Sequence, residues 1–282
     1  MMLATVSIAA CDAPIDSSDD IRSVPIDLTM PPVSNGPPGP GKRVRMTAAE
    51  YRGTAVHHLL YLPTDWVKGS RYPVIVEYAG NGSYKNEFGD VSTGRVEGSN
   101  LGYGISGGKG FLWLCLPFIS PGGTENQRRW WGDIEKTVAY CNTVVRRICA
   151  TYGGDLGAVL LAGFSRGAIA CNFVGLHDDE IAQLWCGFIC HSHYDGVHRW
   201  SYAGSDRQSA AIRLARLGSR PQWVSHEQSV EATRRYLAQA APDGRFRLRA
   251  LPFRNHTDAW VLRGVPLRAE LRNWVRATLA AR

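Results

Sequence analysis

Several features that would place the chain in a common class are missing. No apolar run in its 282 residues approaches the roughly 18 that a membrane-spanning helix needs. None of its seven cysteines stands in a CxxC pair. Cysteine without such a partner packs as a small hydrophobe, so buried free thiols are expected, with one or two disulfides if the protein is exported. No internal repeat is detectable, which sets aside solenoid arrays. The formal net charge is +7, yet no clustered basic run or nucleic-acid motif accompanies it. The arginines of the C-terminal third, among them Arg213, Arg234, Arg245, Arg247 and Arg249, alternate with apolar residues, as on solvated faces. Nucleic acid is not an expected partner.

What is present is an ordinary globular composition, 44% apolar, at a length that suits one large domain or two small ones. The first residues, MMLATVSIAACDAP, form a short apolar stretch. Its end, Ile8-Ala9-Ala10-Cys11, resembles the lipobox of bacterial lipoproteins, which implies export with a lipid anchor at Cys11. No Lys or Arg precedes the stretch, unlike a full signal peptide. The expected location is periplasmic or envelope-anchored, with the cytoplasm as the alternative. Residues 12–41 are acidic, then rich in Pro and Gly (PPVSNGPPGPGK), the composition of a tether. Two parts are therefore expected: a signal-like segment and tether over 1–41, and a catalytic domain over 42–282.

From Lys42 onward strands and helices alternate. AVHHLLYLP (55–63), YPVIVEYAG (72–80), GFLWLCLPFIS (110–120), GAVLLAGFS (157–165), QLWCGFICHSH (183–193), RPQWVSHE (220–227) and RFRLRALPF (245–253) read as strands. Between them Ile134, Val138, Cys141, Val145, Ile148 and Tyr152 mark one face of a long helix, capped by Asp133 and Gly153. Further helices are expected over RGAIACNFVGL, DRQSAAIRLARLG, SVEATRRYLAQA and PLRAELRNWVRATLAA. Continuous apolar strands joined by helical crossovers predict an α/β class, with a mostly parallel sheet covered on both faces. In such sheets chemistry gathers at the carboxyl ends of the strands.

One stretch fits that place. VLLAGFSRGAIA puts Gly163-Phe164-Ser165-Arg166-Gly167 between an expected strand and helix. A serine on such a sharp turn presents its hydroxyl above the sheet, and small flanking residues let the backbones close up. The Arg166 amide, at the positive end of the following helix, faces a substrate oxygen.

With these residues the chain resembles the α/β-hydrolase superfamily, most nearly the compact serine esterases of the polyhydroxybutyrate-depolymerase and feruloyl-esterase type. The resemblance runs from about Tyr72 to the C-terminus. It implies an α/β-hydrolase fold without a separate lid domain, and a serine esterase acting through a catalytic triad and an oxyanion hole. It implies an ester substrate, on a small molecule or borne on a polymer such as a polysaccharide or polyester. PVIVEYAGNG matches the family's oxyanion strand and loop, with Ala79-Gly80 where the family usually has His-Gly. By that match Asn81 gives one oxyanion amide and Arg166 the other. Peptide hydrolysis is a related possibility. No cofactor and no metal are implied, and a monomer is expected.

The resemblance places the general base at His256, after the last strand in ALPFRNHTDAWVL. The acid that orients it is more open, because the family's Gly-x-x-Asp is absent. Glu227, at a strand end, is the first candidate and Asp195 its rival; Glu231 suits its helix dipole, and Asp258 is near His256 only in sequence. His191, His193 and Asp195, in CHSHYDG, are expected to line the substrate pocket beside Ser165. The same residues resemble the HxHxDH signature of metallo-β-lactamase-type hydrolases, with Gly196 in place of the motif's next residue. A metal-dependent hydrolase is thus one alternative, and a non-catalytic binding protein on a hydrolase scaffold is another. Trp130 and Trp131 suit either stacking on a substrate ring or packing at a helix start. Tyr84, Phe88 and Tyr103 lie in the Gly-rich stretch 80–110, which could shape the site.

Overall fold

The structure, a computed structural model, describes residues 20–282. The signal-like segment and Cys11 lie outside the described residues. Nine strands form one sheet: β1 (Val33–Ser34), β2 (Arg43–Met46), β3 (His58–Tyr61), β4 (Tyr72–Tyr78), β5 (Leu112–Leu116), β6 (Gly154–Phe164), β7 (Gly187–His191), β8 (Gln222–Glu227) and β9 (Phe246–Leu251). Their order across the sheet is β1-β2-β3-β5-β4-β6-β7-β8-β9. Pairing is parallel everywhere except where β3 meets β2 and β5.

The helices of more than one turn are α1 (Leu101–Ser106), α2 (Ile134–Tyr152), α3 (Arg166–Phe173), α4 (Arg207–Ala215), α5 (Glu231–Ala240) and α6 (Pro266–Ala280), and a single turn, Asp179–Ala182, lies between α3 and α4. The period of two along the strands divides the apolar residues between two cores. Val74, Val76, Leu112, Leu114, Val159 and Leu161 face α2, α3, α4 and α5. Ile75, Trp113, Cys115, Leu160 and Ala162 face α1 and α6. The Asp133 side chain accepts from the Lys136 amide at the start of α2, and Gly153 ends that helix at φ 80°.

Two features differ from the sequence reading. The run 110–120 is two strands, β5 and the short Phe118–Ile119. Pro117 lies between them and has no N–H for a ladder. Residues 20–41 are not a free tether. Ile21 is 2% exposed, the amides of Asp27 and Leu28 donate to the Leu262 carbonyl, and β1 lies parallel to β2. Leu28, Met30 and Val33 pack on the α1/α6 core. Main-chain bonds to the body and a few apolar anchors hold a segment whose composition alone reads as flexible, so the fold begins before residue 42. The six cysteines among the described residues are all free.

Candidate active site

The chain turns left-handed at the carboxyl ends of three adjacent strands. After β6 Ser165 has φ 54°, after β7 Ser192 has φ 80°, and after β8 Gln228 has φ 60°. Non-glycine residues seldom hold such angles, and clusters of them mark functional sites. At Ser165 the turn is enforced by close approach. A Cβ on Gly163 would lie 2.0 Å from the Gly167 carbonyl oxygen, and one on Gly167 would lie 1.9 Å from that of Tyr78. Only glycine fits at either place. The Ser165 amide is anchored to the His191 carbonyl at 2.8 Å.

Ser165, His256 and Glu227 form one hydrogen-bonded row. Ser165 Oγ lies 3.0 Å from His256 Nε2, and His256 Nδ1 lies 2.6 Å from Glu227 Oε1. A carboxylate only accepts, so Nδ1 carries a proton and Nε2 is free to accept the serine proton. The second Glu227 oxygen accepts from Ser192 Oγ. Burial pushes the Glu227 carboxyl up, but the hydrogen bond and charge of His256 outweigh it and hold the group at about 2.

The cleft above Ser165 has a volume of about 200 Å3, and Asn81, Tyr84, Trp130, Arg166, Ile169 and His193 are among its lining residues. The backbone amides of Asn81 and Arg166 find no protein acceptor among the described residues. Trp130, half-buried, packs 5.2 Å from Trp200 and 5.1 Å from Tyr202. Trp131 is buried and stacks on Phe173 at 4.5 Å, so of the two tryptophans only Trp130 meets the cleft. Phe88 lies under the Arg254 guanidinium at 4.5 Å, and Tyr103 packs on Tyr61 and Trp113.

Two of the three residues expected in the pocket from CHSHYDG are elsewhere. His191 is 1% exposed, with Nδ1 on Ser225 Oγ at 3.0 Å and Nε2 on the Thr257 carbonyl at 3.1 Å. It shares the strand parity of Ile189, so it points into the α1/α6 side beneath His256. Burial lowers its pKa to about 4. Asp195 is buried in a two-bond pair with Arg213, at 2.9 and 3.1 Å, which takes it out of the cleft. Only His193 faces the cleft, 5.3 Å from the His256 ring; burial lowers its pKa to about 3. The metal set His191, His193 and Asp195 does not converge, because two of its members are bonded to other partners. Among the described residues no group of three or more His, Cys, Asp or Glu is arranged to hold a metal. Glu231 begins α5 and pairs with Arg234. Asp258 accepts from the Asn100 amide and side chain.

Two supporting groups are absent from the residues singled out in the sequence for these roles. Asp90 accepts from the His256 amide at 2.9 Å, from Asn255 Nδ2 at 2.9 Å and from Asn86 Nδ2 at 2.7 Å, which fixes the loop carrying the imidazole. The other is the Arg166 side chain, 1% exposed, whose guanidinium bonds four main-chain carbonyls. A lone arginine among the small apolar residues of GFSRGAIA was the available hint that this side chain is buried.

No protein-family model matches the chain, and no curated protein is similar to it in sequence. Solved structures are. A fungal esterase from Rhizomucor miehei is 14% identical with a TM-score of 0.55, over 85% of this chain and 82% of that one. A thermostable esterase is 16% identical with a TM-score of 0.50, over 83% of this chain. The AtxE2 isopeptidase, with Astexin3-dC4 bound, is 14% identical with a TM-score of 0.53, over 86% of this chain. This protein has the α/β-hydrolase fold. The chain spans 62% of the thermostable esterase and 40% of the isopeptidase. The turn after β6, which carries Ser165, stands at the sheet's carboxyl edge with β4 on one side and β7 on the other.

Proposed function

We propose that the protein is a serine hydrolase that cleaves carboxylic esters through an acyl-enzyme. The observation that carries this reading is the continuous row from Ser165 through His256 to Glu227 on a strained strand-to-helix turn. Ser165 Oγ attacks the ester carbonyl carbon as His256 Nε2 takes its proton. The carbonyl oxygen becomes an oxyanion, which the amides of Asn81 and Arg166 stabilise by hydrogen bonds. The tetrahedral intermediate collapses, the carbon–oxygen bond to the alcohol breaks, and His256 returns the proton to the leaving oxygen. Water then attacks the acyl-serine with His256 again as base, releasing the acid and free Ser165. Glu227 keeps the imidazole oriented and stabilises its cationic form.

The lining of the cleft suits an uncharged substrate. Its aromatic and imidazole walls carry no carboxylate, and the one guanidinium, of Arg166, is occupied by carbonyls. The likeness to esterases supports the ester over other acyl groups. The isopeptidase neighbour makes amide substrates the comparison to include in any assay.

A fluorophosphonate probe tests the reading directly. The wild type is expected to label and to hydrolyse short-chain esters, while Ser165→Ala and His256→Ala, folded by circular dichroism, do neither. Folded wild type that fails to label would overturn the serine-hydrolase reading and favour a non-catalytic scaffold.

A further inference from the structure

Arg166 stands next to the nucleophile, yet its charge faces away from the cleft. Nη1 lies 2.7 Å from the Trp130 carbonyl oxygen and 3.4 Å from that of Gln127; Nη2 lies 3.0 Å from Gly80 and 3.3 Å from Gly94. The guanidinium is stacked 4.0 Å over the Phe118 ring, and among the described residues Nε has no partner. All of its hydrogen-bond partners among the described residues are neutral carbonyls. Burying a cation this way forfeits its hydration without a counter-charge, and an apolar side chain of similar volume would fill the space without that loss. What the guanidinium adds is a planar fork that holds separate segments in one register.

Those segments are the ones that shape the cleft. Gly80 immediately precedes Asn81, and the Gly82 amide donates to Arg128 at 2.8 Å. Asn81 Oδ1 accepts from the Trp130 amide at 2.8 Å, while Arg166 takes the Trp130 carbonyl. Trp130 is thereby held from both sides at φ 48°, a conformation that a bulky residue adopts only when its surroundings impose it.

Resting on the serine-hydrolase reading, we propose that the Arg166 side chain is a positioning residue that fixes the Asn81 amide and the Trp130 wall relative to Ser165. One residue then serves the oxyanion hole twice. Its own amide is one donor, and its side chain sets the place of the other. Donors aimed at a developing charge lose most of their effect when displaced by a fraction of a bond length.

The test uses Arg166→Met, Arg166→Lys and Asn81→Ala. The last keeps the backbone donor but cuts the second tie to Trp130. Turnover is measured per serine titrated with the fluorophosphonate, so unfolded protein does not count. Affinity for a trifluoromethyl ketone, which forms an oxyanion on the serine, is measured alongside. Arg166→Met is expected to lose roughly 10- to 100-fold in kcat with KM within about threefold, the scale of a displaced oxyanion donor. Ketone affinity should fall by a similar factor. Arg166→Lys should lie between Met and wild type, and Asn81→Ala should show the same pattern more weakly. Normal turnover per titrated serine, or lost turnover with unchanged ketone affinity, would overturn the proposal. If Arg166→Met does not fold, the Lys and Asn81 variants decide by the same criteria. Absence of labelling in wild type would instead strike the serine-hydrolase reading.

Discussion

Two carboxylates lay within reach of the same role, and their surroundings separate them. Glu227 has one oxygen on His256 Nδ1 and the other on Ser192. Asp195 has both oxygens on Arg213. Replacing Glu227 by Gln keeps an acceptor but removes the charge that stabilises an imidazolium. Steady-state kinetics should show kcat falling on the order of 10^3-fold with KM little changed. Asp195→Asn leaves the Arg213 charge buried and unpaired, so a melting experiment should show a loss of about 3 kcal/mol, with kcat close to normal in the fraction that stays folded. If the two variants exchanged these effects, the assignment of the acid to Glu227 would be wrong. The sequence could name both residues but could not rank them by contact, because the partners of each are distant. His256 is 29 residues from Glu227, and Arg213 is 18 from Asp195.

At the scale of elements, β4, β6, β7 and β8 were legible because buried parallel strands are written as apolar runs, and α2 because its apolar face keeps the helical period. Less visible was what strand parity does to the residues at strand ends. His191 follows Ile189 into the α1/α6 core, whereas His193 comes after the left-handed turn at Ser192 and reaches the cleft. The composition of the segment before β1 does not reveal its order, because that order comes from long-range main-chain contacts. Its Ile21 amide donates to Asn255 Oδ1 at 2.8 Å, and the same Asn255 donates to Asp90, which holds the His256 amide. The N-terminal strap thus closes the back of the imidazole loop. Ile21→Ala should cost about 2 kcal/mol or more in urea unfolding, as for other buried large-to-small changes. It should also lower kcat several-fold in the folded protein. Unchanged stability and turnover would show that the strap merely lies on the surface.

The whole molecule buries several imidazoles, and this sets how it responds to acid. Burial lowers His58 to about 3, His191 to about 4 and His193 to about 3, each from an ordinary value of 6.5; His226 is lowered for the same reason. The unfolded chain takes up these protons near 6.5 and the folded protein only well below it. Their contribution to stability is complete above about 6.5 and is lost as pH falls towards 4 and 3. Glu227 and Glu97, held at about 2, lose theirs only below their ordinary 4.5. Asp258 acts with the opposite sign. Burial, with the charge of nearby Glu77, raises it to about 7, so its contribution declines as pH rises through that value. Burial raises Glu77 and Asp195 as well, Glu77 against the pull of four N–H bonds, from Asn100, Leu101, Gly102 and Trp113, and Asp195 against that of Arg213. The four lowered imidazoles outnumber these three raised carboxyls, so stability should peak near neutral pH and begin to fall below 6.5, before the carboxylate range. Each buried imidazole steepens that fall by about 1.4 kcal/mol per pH unit. His58 is bonded to Tyr140 and sits on β3, which two strands separate from β6 and its Ser165, so His58→Asn should remove one proton's worth of slope in urea titrations between pH 6.5 and 4 without shifting the pH dependence of turnover. A stability curve that stays level from pH 6.5 to 5 in the wild type would show that these imidazoles are not buried neutral in solution.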